Sequence, residues 1–270
     1  MSDAWDPPTV LRAATEWSWV PPDAECVVTD VTLTRWPAWA QGRVVLTGLA
    51  SARAPEDVLR DAVDQARAWG SDTLGVWVSA SSTPDLTDLL LARGARLEDT
   101  VDVLARGLEP DVEPGSRETP PHEGRLVVRR VTDVDGLRDA DRVDTAVWDQ
   151  HPLDDDRLAD AARTLRADDS REIRVVAYQD GEPVASAGVT LAAAPRPGLG
   201  TVARLWGAGT VPDRRGRGAY RAVLEERLRL SAGAGASLAL VKGRVSTSAR
   251  VLRKAGFERY GEEHYYRLSL

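Results

Sequence analysis

The sequence predicts an α/β (α+β) chain made of two copies of one folding unit, and three observations carry that expectation. Strand-like and helix-like periodicities alternate through most of the 270 residues. The stretch 109–124 (EPDVEPGSRETPPHEG) holds four prolines, two glycines and several charges, with nothing to bury, and reads as a linker. The segment LLARGARLEDTVDVLARGL before the linker is echoed by VLRKAGFERYGEEHYYRLSL at the end of the chain. In both, a short helix runs into a glycine suited to the left-handed C-cap conformation. The expected organisation is a first, degenerate copy over 1–108, a linker over 109–124 and a second copy over 125–270.

The elements follow in order. In the first half, residues 43–49 read as a strand and 55–69 as an amphipathic helix, with Leu59, Ala62, Val63, Ala66 and Trp69 on one face. Residues 73–78 (TLGVWV) are a strand, 84–92 a helix and 97–108 another strand. In the second half, 125–131 is a strand and 134–148 a helix. The β-rich runs 173–178 and 184–191 are joined by Gln179-Asp180-Gly181-Glu182, a hairpin signal because glycine accepts positive φ. A strand over 201–211 leads through a glycine-rich segment to a helix from Tyr220, with Val223, Leu224, Leu228 and Leu230 near helical spacing. Residues 237–241 form a short buried strand, 248–255 a short helix and 257–270 a terminal β pair.

Composition excludes several functions. Cys26 is the only cysteine, and His122, His151 and His264 are scattered, so neither a disulfide nor a metal centre is expected. The formal charge of −7 disfavours nucleic acid and suits a basic or neutral partner. No apolar run approaches the ~20 residues that span a bilayer. The first residues lack the basic start and apolar stretch of a secretory leader, so the expected location is the cytosol, away from membranes.

The informative segment is WGAGTVPDRRGRGAYR, residues 206–221. Pro212 stops a strand near Val211, and Gly216 and Gly218 open a helix. Glycines there let successive N–H groups point into one concavity, and the helix start adds unpaired donors and the positive end of its dipole. Arg214, Arg215, Arg217 and Arg221 add charge, so the turn is suited to a pyrophosphate. From these residues alone, a plain β–α turn is the other reading. The Walker pattern fails because no Gly-Lys-Ser/Thr follows, and the glycines do not fit the dinucleotide fingerprint.

The segment resembles the acetyl-CoA loop of the GCN5-related N-acetyltransferases, Arg/Gln-x-x-Gly-x-Gly/Ala, here Arg215-Gly216-Arg217-Gly218-Ala219-Tyr220. Downstream, residues 247–257 (TSARVLRKAGF) resemble that family's last helix ending in Gly-Phe. The resemblance covers about residues 125–270 and, more faintly, 25–108. It implies that each unit is a mixed, mostly antiparallel twisted sheet flanked by helices. It further implies an acyl-CoA-dependent N-acyltransferase, with acetyl-CoA as co-substrate and no metal. The acyl group would pass to a primary amine of a small molecule or peptide by direct attack in a ternary complex. The cofactor set implied is Gly209, Thr210, Val211, Arg215, Gly216, Arg217, Gly218, Ala219, Tyr220 and Ser248, in a monomer or homodimer.

Two departures stand out. Tyr220 replaces the usual glycine or alanine at the end of the loop, and Leu252 replaces the family's frequent tyrosine acid. Tyr260, Tyr265 and Tyr266 are the residues that could supply the acid instead, and Tyr265 is the one chosen. Ser248 is read either as a helix-starting hydroxyl or as a donor to cofactor or thiolate. For the base, Asp149, His151, Asp154, Glu262, Glu263 and His264 are open candidates, each also explicable as a solvated side chain. Trp148 and Trp206 are the expected acceptor-pocket residues, with core packing as their other reading; the first-half tryptophans, Trp19 included, are expected to pack internally. In the first copy the corresponding turn, Ala50-Ser51-Ala52-Arg53-Ala54-Pro55-Glu56-Asp57, has no glycine and sets two carboxylates at the helix start, so no coenzyme A is expected there. The missing acid and base support an alternative, a catalytically inactive CoA-binding or ligand-sensing module.

Overall fold

The computed structural model describes residues 5–18, 20, 23–48, 51–80, 82–109 and 126–270. The linker reading over 109–124 therefore lies almost wholly outside the described residues, as does Trp19. In chain order the elements are α1 (Pro7–Thr15), β1 (Glu25–Val28), β2 (Thr32–Arg35), β3 (Val44–Thr47), α2 (Pro55–Ala68), β4 (Thr73–Val78), α3 (Leu86–Ala92) and β5 (Arg96–Gly107). Then come β6 (Leu126–Arg130), α4 (Val134–Trp148), α5 (Asp155–Arg166), β7 (Glu172–Gln179), β8 (Glu182–Ala193) and β9 (Thr201–Thr210). The chain finishes with α6 (Ala219–Gly233), β10 (Ala236–Arg244), α7 (Ser248–Lys254) and β11 (Glu258–Ser269).

These elements form two compact units that are not the linear halves of the sequence. One gathers Ala105–Val241 with the segment ending at Asp6; the other gathers Pro7–Leu104 with Lys242–Leu270.

In the first of these units the strands lie in the order β10-β9-β8-β7-β6. Pairing is antiparallel from β6 to β9 and parallel between β9 and β10, with α6 as the crossover. The middle strands carry near-continuous apolar runs, as strands covered on both faces do: Val175, Val176, Ala177, Ala185, Ala187, Val189, Val202, Ala203 and Leu205 are all buried. The hairpin between β7 and β8 has Asp180 at φ 55° and Gly181 at φ 87°, the two positive dihedrals of a type I′ turn. Helix α4 starts on Asp133, whose carboxylate accepts the Gly136 N–H at 2.8 Å. Helix α5 is missing from the sequence expectation. Only Leu158 and Ala162 of its twelve residues are buried, too few to print a helical period, and they join Leu137, Ala140 and Val176 in one cluster.

In the other unit the order is β1-β2-β3-β4-β11-β5. β1, β2 and β3 pair antiparallel, β3 and β4 pair parallel with α2 between them, and β11 runs antiparallel to β4 from His264↔Val78 to Ser269↔Thr73. The expected terminal β pair is thus one long strand, and the tail belongs with the first-half elements rather than with 125–241. The reason is physical: β11 has β4 on one side and β5 on the other, so a central strand position replaces a local hairpin. Gly261 marks no turn; it makes room for α1, since a Cβ there would lie 2.9 Å from Leu11 Cδ2. Tyr266 and Leu268 fill a core with Leu33, Leu46, Leu59, Leu74 and Val76.

Candidate functional site

The site grows from an irregularity in β9. Gly188 of β8 faces Trp206 of β9, and two residues earlier Ser186 faces Gly209, so β9 holds one extra residue in this interval. Gly207, at φ 59°, takes the left-handed turn of that bulge. A bulge reverses the parity of everything after it, so Trp206 and Gly209 share a face that a regular strand would give to Trp206 and Ala208. The parallel ladder with β10 ends at Leu205↔Val241, while β9 runs on to Thr210.

Beyond the bulge, the Val211 N–H donates to the Val184 carbonyl at 3.0 Å. In an antiparallel pair, successive residues point their backbone groups to opposite sides. Thr210 therefore turns its N–H and carbonyl away from β8, and its carbonyl accepts Arg215 Nε at 3.1 Å. Of the three strand-end positions in the implied cofactor set, Val211 is already engaged and Thr210 is directed outward.

The chain then turns through Pro212–Arg214 into α6. Gly216 (φ 78°) and Gly218 (φ 87°) are both left-handed, and a Cβ built on Gly216 would meet nothing within 4 Å. Gly218 caps α6 without a side chain, and the first backbone bond of the helix runs from Ala222 N to Gly218 O. A side-chain cap would otherwise consume a donor at this helix start. Arg214 pairs with Asp213 at 3.5 Å and Arg221 with Glu225 at 2.7 Å, while Arg217 is exposed. Ion pairs this exposed hold little energy, so their guanidinium groups can exchange partners. The residues fit a pyrophosphate: open space, left-handed glycines, donors at a helix start and movable positive charge.

On the α4 side of the sheet, Trp206 is fixed by three contacts. Its indole covers Gly188, where a Cβ would come within 2.5 Å of the ring. Its Nε1 donates to Thr190 Oγ1 at 2.9 Å, and the Arg174 guanidinium lies 5.4 Å from the ring centroid. Arg174 and the Ser186 hydroxyl both donate to the Asp144 carboxylate on α4, and Val147 of α4 rests on Gly209. Trp148, 38% exposed, ends the same helix.

Asp141, one turn before Asp144, is buried; its Oδ2 accepts the Leu153 N–H at 3.1 Å and its Oδ1 has no partner. Burial and the neighbouring Asp144 charge raise its pKa, although the Leu153 bond opposes this. A carboxyl whose folded pKa is raised destabilises the fold once pH exceeds its ordinary value of 3.8. Asp141→Asn is therefore expected to raise Tm at pH 7, with the gain vanishing as the pH falls below that value. Equal Tm shifts at pH 7 and pH 3.5 would remove this account of Asp141.

Gly209, Thr210, Val211, Arg215, Gly216, Arg217, Gly218, Ala219, Tyr220, Trp148 and Trp206 all fall in the unit holding 105–241. Ser248 and Tyr265 do not; they belong to the unit holding 7–104. Ser248 is the first residue of α7, behind Thr247, which makes no side-chain cap. The Tyr265 ring fills the space left by Gly75, its hydroxyl 2.1 Å from where a Cβ would stand, and lies 5.1 Å from the Trp77 ring. Burial raises its pKa. Among the base candidates, Asp149 is the left-handed C-cap of α4 and Asp154 the N-cap of α5, while His151 is exposed. On β11, Glu263 is buried against Lys242 at 2.8 Å, Glu262 pairs with Arg259 at 2.5 Å, and His264 Nδ1 lies 3.3 Å from Thr100 Oγ1. Sequence reasoning missed Asp141, Asp144, Arg174, Ser186 and Arg227. A signal existed for three: Asp141 and Asp144 continue the α4 stripe of Leu137 and Ala140, and Arg227 sits in the α6 stripe of Val223, Leu224 and Leu228.

No protein-family model and no curated protein matches the sequence. Solved structures do match. A GCN5-related N-acetyltransferase from Kribbella flavida is 18% identical with a TM-score of 0.62, over 96% of this chain and 95% of that one. A functionally unknown conserved protein from Staphylococcus epidermidis is 11% identical with a TM-score of 0.58, over 95% and 100%. A GCN5-related N-acetyltransferase from Sphaerobacter thermophilus is 16% identical with a TM-score of 0.56, over 88% and 80%. At these identities the likeness speaks for architecture, and along nearly its whole length the chain has the fold of GCN5-related N-acetyltransferase structures.

Proposed function

We propose that the chain is an acyl-CoA-dependent N-acyltransferase, with acetyl-CoA the first donor to try and a primary amine of a small molecule or peptide as acceptor. The observation that carries this reading is the continuous path from the outward-facing Thr210 backbone to the open, glycine-lined start of α6. The α6 start and its arginines would hold the pyrophosphate, and the free edge of β9 beyond Leu205 would align the pantetheine arm. Bound acyl-CoA supplies an activated thioester. The Thr210 N–H is the donor directed to the thioester oxygen as charge develops on it; a preorganised donor of this kind is typically worth ~3 kcal/mol. Trp206 and Trp148 line the acceptor side, where a held amine gains from proximity.

The parallel pair with its crossover helix occurs in both units, β9–α6–β10 and β3–α2–β4, which supports a tandem origin with 7–104 as the degenerate copy. Among the described residues only the α6 turn suits a CoA. Helix α2 begins with Pro55, which has no N–H, then Glu56 and Asp57, and Arg53 before it is bound by Asp61.

A second reading, an inactive CoA-binding or ligand-sensing module, is favoured by the fully buried Leu252 where the family often has its tyrosine acid. Thiol release from acetyl-CoA across a panel of primary amines separates the two. Amine-dependent release above background supports the transferase; binding without release for every amine supports the module.

A further inference from the structure

We propose that Arg227 is a positioning residue that holds the β9 bulge open and thereby sets the direction of the Thr210 N–H. This inference rests on the acyl-CoA reading of the site.

Arg227 lies on α6, two turns after the pyrophosphate turn, and is 1% exposed. Among the described residues no carboxylate accepts from it. Its Nε donates to the Val223 carbonyl at 3.3 Å within the helix. Its Nη1 reaches the Gly188 carbonyl at 3.2 Å and the Trp206 carbonyl at 3.4 Å. These two residues face each other across β8 and β9 where the register shifts. One guanidinium nitrogen thus occupies the interruption in the ladder and satisfies carbonyls that a bulge leaves short of donors. The Tyr220 phenol, the last residue of the loop and a departure from the family pattern, interacts with the same guanidinium. Desolvation lowers the Arg227 pKa to about 10, a sign of how little water reaches it.

A buried cation without a counter-ion is a poor choice for stability alone, since apolar residues of similar volume commonly serve as well or better. What it supplies here is geometry. Without a donor at the bulge, β9 relieves its two carbonyls by slipping one residue into a regular ladder. Such a slip turns every later residue to the other side. Gly209 would then lose its place under Val147, and the Thr210 N–H would point into β8. The loop and α6 would keep their shape, so CoA binding and thioester polarisation should separate.

The test uses the intact chain and acetyl-CoA labelled with ¹³C at the thioester carbonyl. Affinity is measured by calorimetry and the bound carbonyl stretch by infrared difference spectroscopy. Wild type should bind and show the stretch moved to lower frequency. Arg227→Lys keeps the charge but replaces a planar fork by a point donor, and should bind within about threefold of wild type while losing most of that shift. Arg227→Met should do the same if it folds. Gly207→Ala attacks the bulge from the strand side and should lose the shift even if Arg227→Met does not fold. Retention of the full shift in Arg227→Lys and Gly207→Ala would overturn the proposal, leaving Arg227 a packing residue. Failure of wild type to bind acetyl-CoA would instead overturn the acyl-CoA reading, and this inference with it.

Discussion

Gly218→Glu is expected to abolish acetyl-CoA binding while leaving the fold nearly as stable as wild type. Gly218 stands at φ 87° as the cap of α6, so any L side chain there carries a strain of about 1–2 kcal/mol. A carboxylate at a helix start returns part of that by meeting the dipole and the free N–H groups. What stabilises the helix displaces the ligand: the same donors are needed for the pyrophosphate, and the added charge repels it. A ligand at a hundred times its Kd stabilises the native state by about 2.7 kcal/mol. Saturating acetyl-CoA should therefore raise the wild-type Tm by several degrees and leave that of Gly218→Glu unchanged. Equal shifts in both proteins would put the ligand elsewhere.

Truncation after Gly256 is expected to unfold the unit formed by 7–104 and the tail, although its first-half sequence is untouched. β11 supplies the antiparallel partner of β4 and brings Tyr266 and Leu268 into the core. Burial of two such side chains is worth roughly 5 kcal/mol, which is comparable to the whole stability of a typical domain. The cut also removes Arg259, one of two arginines on the nearly fully buried Asp102, leaving Arg253 as its remaining cation. Circular dichroism should show lost strand signal and one fewer cooperative transition. A truncated chain that keeps every transition would contradict the grouping of the tail with the first half.

Much of the fold is legible in the sequence because local signals and tertiary context agree. The Asp180-Gly181 hairpin, the α2 stripe from Leu59 to Ala66 and the strand–turn–helix at 201–233 each carry a period or turn residue that the structure uses as expected. The misses share a cause. Helix α5 has two buried side chains and a charged remainder, so it has almost no period. β1 and β2 are four-residue strands, and all of β1 is exposed. The tail reads as a local β pair, whereas it is one strand in which Gly261 serves the approach of Leu11. Where the tail docks depends on pairing with β4, nearly two hundred residues away, and no local pattern encodes that.

The candidate site divides the same way. Its loop is legible because glycine pairs and arginines before a helix have few uses. The bulge at Gly207 is not, since an isolated glycine in a strand has several meanings. Arg227 and Asp144 look like surface charges until their helical stripes are drawn, when both fall on the buried side.

The most direct measurement is a calorimetric titration of the intact wild-type chain with acetyl-CoA. Saturable binding at one site per chain is expected, because among the described residues only the α6 turn joins left-handed glycines, helix-start donors and movable positive charge. Two sites would contradict the degenerate reading of the α2 turn, and no binding at millimolar ligand would contradict the function proposed for the α6 turn.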